Sequence, residues 1–146
     1  MKTKLMALLF AAGLALSIAA PANAEVGYID YQRILENYPA AQQAVKELDA
    51  KGLELQQYML EKEKQYKNLS TPLQKQNFET QTQNELKSKQ EALYRLQQDK
   101  ETQILNQVKT AARAVMVAQK LDAVVSDQVV FVGGVDITDQ VIQRLK

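Results

Sequence analysis

The chain contains no cysteine and no histidine. Without cysteine there is neither a disulfide framework nor a lipid-bearing cysteine anchor. The two absences together remove the thiol nucleophile, the commonest general base and most transition-metal sites. The carboxylates offer no substitute, because Glu61 and Glu63 point to different faces of a helix, while Asp136 and Asp139 are explained as a cap and a first-turn acid at a helix start. A phosphate loop is also missing: Gly133-Gly134 lacks the further glycines and the lysine of such motifs and reads as a tight turn. No catalytic residue, cofactor or metal is expected, and the chain does not read as an enzyme. Asn68-Leu69-Ser70 matches a glycosylation acceptor pattern, which carries nothing in a bacterial-type export context.

Charge of one sign is missing as well. Lysine and arginine number 18 against 17 acidic residues, a formal net of +1. Such a balance supplies neither the basic face that nucleic acid requires nor a long-range field for a charged partner. A long hydrophobic run occurs once, from Leu5 to Ala20. It follows Lys2 and Lys4 and precedes Pro21-Ala22-Asn23-Ala24, the small-x-small pattern read by signal peptidase. The run is short for a membrane span, which takes about 20 apolar residues, and the chain turns polar directly after it. Residues 1–24 are therefore read as a signal peptide cleaved after Ala24, and the mature chain as a soluble protein of the periplasm. Removing the two leader lysines leaves 16 basic against 17 acidic residues, a net of −1.

Glycine and proline are scarce, five and three in 146 residues. The middle of the chain is instead rich in Gln, Lys, Glu, Leu and Ala, all good helix formers. From Ile34 an apolar stripe runs through Tyr38, Ala41, Val45, Leu48, Gly52, Leu55, Met59, Lys62, Tyr66 and Leu69, in alternating steps of four and three. Only Gly52 and Lys62 break its apolar character. A face this narrow needs a partner helix along its length. The stripe stops at Ser70-Thr71-Pro72, and the residue before a proline is pushed out of helical geometry. Residues 36–119 are thus expected to form a coiled-coil helical hairpin with its tip near 70–72. Pro39 fits either a first helical turn or a kink, and Gly52 marks a close approach or a bend, or is an accident. The returning arm is diluted by Gln90, Gln97 and Lys100, and becomes compactly apolar only from Val108 to Ala118. The outer hairpin should therefore be loose, and Tyr58, Tyr66, Phe78 and Tyr94 either fill its interior or meet another chain.

The ends differ from the middle. Val26, Tyr28 and Ile29 make Glu25–Asp30 β-prone. Ala123-Val124-Val125 and Val129-Val130-Phe131-Val132 read as two strands around a Ser126-Asp127-Gln128 turn, and Asp136 or Thr138 then caps a short last helix through Val141, Ile142 and Leu145. Residues 25–35 and 120–146 are too few to build an independent core, so the strands of several copies are expected to pool into one body. Val26, Tyr28, Ile29, Val124, Val125, Val130, Phe131, Ile137 and Val141 are the expected body residues. The fold class is mainly α with a small β body from which a long antiparallel hairpin projects.

This layout resembles the Skp/OmpH family of periplasmic chaperones over the full mature length. The resemblance rests on Val26-Gly27-Tyr28-Ile29-Asp30, on Leu121-Asp122-Ala123-Val124-Val125 with the short strands after it, and on Asp136-Ile137-Thr138-Asp139 opening the last helix. It implies a homotrimer whose helical tentacles enclose unfolded outer-membrane β-barrel proteins without nucleotide. Tyr58, Met59, Tyr66, Leu69, Phe78, Leu86, Leu93 and Tyr94 are the expected client-binding side chains on the tentacle. The near-neutral mature chain has no Lys/Arg cluster to carry over as a lipopolysaccharide site. The rival reading is a secreted structural coiled coil, a spacer or tether of the cell envelope.

Overall fold

The structure is a computed structural model that describes residues 24–146. The expected leader, apart from Ala24, lies outside the described residues. β1 (Val26–Ile29) is followed by α1 (Tyr31–Asn37), whose N-terminus is capped by Asp30: its Oδ1 accepts from the Arg33 amide at 2.9 Å. Tyr38 is extended (φ −97°, ψ 112°), as a residue preceding proline must be, and Pro39 opens α2 (Pro39–Lys67). Of the two readings of Pro39, the first-turn position is the one observed. The chain turns through Asn68–Thr71 into α3 (Pro72–Gln119). Thr71 and Gln74 satisfy each other's backbone amides in a capping box, each bond at 3.3 Å.

α2 and α3 are antiparallel partners of unequal length, 29 and 48 residues. At about 1.5 Å per residue, α3 outruns α2 by several turns. The surplus enters the body, where Val108, Ala111, Ala112 and Val115 are buried against Ile34, Leu121, Ile137, Val141 and Ile142. α3 then ends in a Schellman turn. Lys120 takes a left-handed φ of 58°, its amide donates to Val117 O (3.2 Å), and the Leu121 amide donates to Met116 O (3.0 Å).

The body sheet has three strands in the order β2–β1–β3, with both pairings parallel. β2 (Ala123–Ser126) lies beside β1 in the register Val26↔Ala123 to Ile29↔Ser126, and β3 (Val135–Asp136) lies on its other side. Parallel strands need long crossovers, and here the whole hairpin is the crossover between β1 and β2. Gly27 faces the core: a Cβ there would stand 2.7 Å from Leu121 Cδ1. Ile29, Val124 and Val135 pack on the same side, so strand alternation turns Val26, Tyr28 and Val125 to the other face.

α4 (Thr138–Arg144) closes the fold. Its N-cap is Ile137, not Asp136 or Thr138 as expected; Asp136 stands one residue before the cap, and its carboxylate accepts from the Thr138 amide (2.9 Å) and hydroxyl (2.6 Å). These bonds hold the Asp136 carboxyl below its ordinary range, with a lesser contribution from the charge of Arg33. Thr138 is fully buried, and its hydroxyl also accepts from the Asp30 amide at 3.0 Å, tying α4 to the start of α1.

Two further expectations are corrected. Val129–Val132 is not a strand. Ser126 belongs to β2, Asp127–Val129 is one turn of 3-10 helix closed by Val130 N to Asp127 O (3.0 Å), and the third strand forms only after Gly133 and Gly134. Both glycines have φ of 85°, which brings the chain back onto β1. Within one chain β1 already has a neighbour on each side, and the valine-rich run joins neither of the sheet's outer edges. The stripe on the descending arm is also displaced at two places. Val45 and Met59 are exposed, and Ala44 and Tyr58, one residue earlier, take the inward positions.

Candidate functional site

The outer half of the hairpin is where packing is poorest. Its side chains meet in cross-arm pairs. Near the body the Tyr38 hydroxyl donates to Gln107 Oε1, and further out Lys100 pairs with Glu47 at 2.6 Å. Towards the tip the Tyr58 hydroxyl donates to Glu85, Lys62 reaches the same carboxylate at 3.1 Å, and Gln81 donates to its other oxygen at 2.8 Å. With the Tyr58 bond foremost, these donors hold the Glu85 carboxyl at about 2. In return Glu85 raises the Lys62 ammonium. The Tyr58 hydroxyl is also raised, first by desolvation and then by Glu85.

Around this polar link lies an apolar groove of ≈ 320 Å³ between the arms, lined by Tyr58, Met59, Tyr66, Phe78, Thr82 and Leu86 among others. Tyr66 and Phe78 meet with ring centroids 6.3 Å apart at a tilt of 44°. Lysines stack on the rings: Lys62 over Tyr58 and Phe78 (5.2 and 5.4 Å), Lys75 over Tyr66 (5.4 Å) and Lys89 over Tyr58 (4.9 Å). Such contacts each contribute about 0.5–1 kcal/mol at exposed sites and let the aliphatic stems cover ring surface. The Thr82 hydroxyl is buried with no hydrogen-bond partner. A second hollow, of ≈ 410 Å³, lies nearer the body between Leu55, Leu93 and Leu96.

Five of the expected arm residues, Tyr58, Met59, Tyr66, Phe78 and Leu86, line the groove near the tip, and Leu93 lines the second hollow. Leu69 is half-buried at the tip, whereas Tyr94 is 60% exposed and lies outside both hollows. Lys62, Lys89 and Glu85 were not among the expected residues. Lys62 interrupts the apolar stripe, and that interruption was the one available signal. Leu53, Leu60 and Leu73, each more than half exposed, add apolar surface on the outer faces of the arms.

In the body, Ile137 and Val141 are fully buried in the chain's own core, and Ile29 and Val124 pack against it. Val26, Tyr28, Val125 and Val130 are half-buried. Phe131 is as exposed as an isolated residue (103%), and Val132 is nearly so (88%). No group of three or more metal-ligating side chains occurs among the described residues, and no helix among them is long and apolar enough to cross a membrane.

The profile of a family described as outer membrane protein (OmpH-like) matches residues 25–145. Among solved structures, the chain is similar to a provisionally named OmpH-like outer membrane chaperone from Caulobacter crescentus CB15, at 19% identity over 86% of each chain with a TM-score of 0.39. No curated protein matches. With the match spanning all but the last of the residues from Glu25 onward, the chain belongs to the OmpH-like family.

Proposed function

We propose that this protein is an ATP-independent holding chaperone of the periplasm, exported with its leader cleaved after Ala24. As a homotrimer it would enclose unfolded outer-membrane β-barrel proteins and prevent their aggregation in transit. Membership of the OmpH-like family supports the reading, and one observation carries it: the outer arms leave shallow apolar hollows and exposed Leu53, Met59, Leu60, Leu73 and Tyr94 around a thin polar link.

An unfolded barrel strand exposes alternating apolar side chains and unpaired backbone edges. Many weak contacts along compliant arms hold such a chain without selecting one sequence, and enclosure keeps other copies away. The Lys-covered rings offer both apolar area and cationic tips to the same client. No step breaks or makes a covalent bond, so the role is one of binding and release.

The body supports self-association. Val129, Phe131 and Val132 form a nearly continuous apolar segment in water, which is the mark of a surface that meets another chain. Beside it the outer edges of β2 and β3 are open. Copies joined there would pool their sheets and leave the hairpins projecting together.

The test is dilution of a urea-unfolded outer-membrane barrel while light scattering is followed against added mature protein. Suppression that saturates at one oligomer per client, without nucleotide, is the expected result. Unchanged scattering at several-fold excess would overturn the reading and favour a structural spacer or tether of the envelope.

A further inference from the structure

The sheet begins at Val26, two residues after the leader is read to end at Ala24. The Glu25 backbone nitrogen donates to Asp122 Oδ2 at 2.9 Å, and the Asp122 amide donates back to Glu25 O at 2.8 Å. The pairing Val26↔Ala123 follows directly, so this bracket opens the β1–β2 ladder. Ala24, one residue earlier, is exposed, and the family match also starts at residue 25.

Cleavage after Ala24 changes the chemistry of that nitrogen. In the precursor it is a neutral amide. In the processed chain it is an α-amine with an ordinary pKa of about 8, hence mostly ammonium at neutral pH. We infer that leader removal creates an ion pair between the new Glu25 α-ammonium and the Asp122 carboxylate, which fastens β1 to β2 in the mature chain only. The inference rests on the reading of the cleavage site.

The pair differs from an ordinary surface bridge in its geometry. Both partners are exposed, so the charge is screened. Neither, however, is held by a long flexible side chain: the ammonium is on the backbone, and the return bond from Asp122 N to Glu25 O already holds it in register. The charge-assisted bond therefore adds little ordering cost. It joins the two ends of the chain, because β1 and β2 are separated by the whole hairpin. The precursor keeps the hydrogen bond but lacks the positive charge, so its body is held less firmly than that of the processed protein.

The experiment has two arms. Protein recovered from a bacterial periplasm is weighed intact: a mass beginning at Glu25 is expected, and any other start overturns the proposal at its premise. Separately, the chain beginning at Glu25 is prepared with a free or an Nα-acetylated terminus, each with Asp122 or with Asp122→Asn. Urea unfolding is compared at one fixed protein concentration, since association shifts apparent stability. With Asp122, acetylation should weaken the folded state by about two- to fivefold in the unfolding equilibrium constant, the range of a well-placed exposed pair. In the Asp122→Asn background the same acetylation should have no effect, because the substitution keeps an acceptor and removes the charge. Equal effects in the two backgrounds, or none in either, would overturn the ion pair even where the mass confirms the start.

Discussion

At the scale of single residues, two polar side chains hold more than their size suggests. Thr138 is buried at the junction of β1, α1 and α4, with its hydroxyl accepting from Asp30 N and donating to Asp136. Thr138→Val keeps the shape but leaves the half-buried Asp30 amide without its acceptor and the Asp136 carboxylate without the hydroxyl donor, so we expect a loss of about 1–3 kcal/mol in urea melts. Glu85 is the matching residue on the arms. Its folded carboxyl, at about 2, lies below the ordinary glutamate value of about 4.3. The sign follows: the cross-arm link is complete above the unfolded value and is lost as pH falls through about 2. Carboxyl titration by NMR should place Glu85 near 2, and Glu85→Gln should speed amide exchange in residues 58–85 without altering the body. A carboxyl titrating in its ordinary range would remove the basis for this link.

At the scale of elements, the descending arm shows that a seam with a mean spacing of about 3.5 residues can be stepped in more than one order. The inward series runs Ala41, Ala44, Leu48, Gly52, Leu55, Tyr58, Lys62, Tyr66 and Leu69, which keeps the expected mean spacing and changes only where the three-residue steps fall. Val45 and Met59 are thereby left exposed beside Ala44 and Tyr58, while the rest of the stripe stays buried or half-buried. Gly52 was open to a close approach, a bend or an accident, and within the chain neither of the first two is found. α2 runs through it unbroken, and a Cβ there would meet nothing within 4 Å. Gly52→Ala should therefore stabilise the arm by about 0.5–1 kcal/mol, seen as slower amide exchange around residue 52. A destabilised arm would show that a partner approaches the glycine in the assembled protein. The unequal arms were legible from the position of Pro72, and so was the need for the longer one to pass into the body.

At the scale of the whole molecule, the described chain is a small core with a long lever attached. The core is sealed on one side of the sheet by α1, α4 and the end of α3. Phe131 and its neighbours project from the body into water. Under the proposed trimer, Phe131→Asp should shift the protein to monomer in analytical ultracentrifugation. Its helical circular dichroism should stay largely intact, because the fully exposed Phe131 side chain supports nothing within its own chain. A charged residue tolerated there with unchanged mass would place the association surface elsewhere.

Residue order alone was enough to specify the helical hairpin, its turn before Pro72 and the strand at Val26–Ile29, because helix periodicity, proline geometry and strand preference are local properties. The tail was only half legible. Val129–Val132 has every intrinsic preference for a strand, but a strand exists only where an edge receives it. Within the chain, β1 is flanked by Ala123–Ser126 and by Val135–Asp136, a strand of two residues, too short for a sequence pattern, that two left-handed glycines bring alongside it. That pairing, the cross-arm cluster on Glu85 and the bracket between Glu25 and Asp122 came from the folded chain and from nothing earlier. Each joins residues far apart in sequence, and their meeting depends on how the chain folds back on itself rather than on any local pattern.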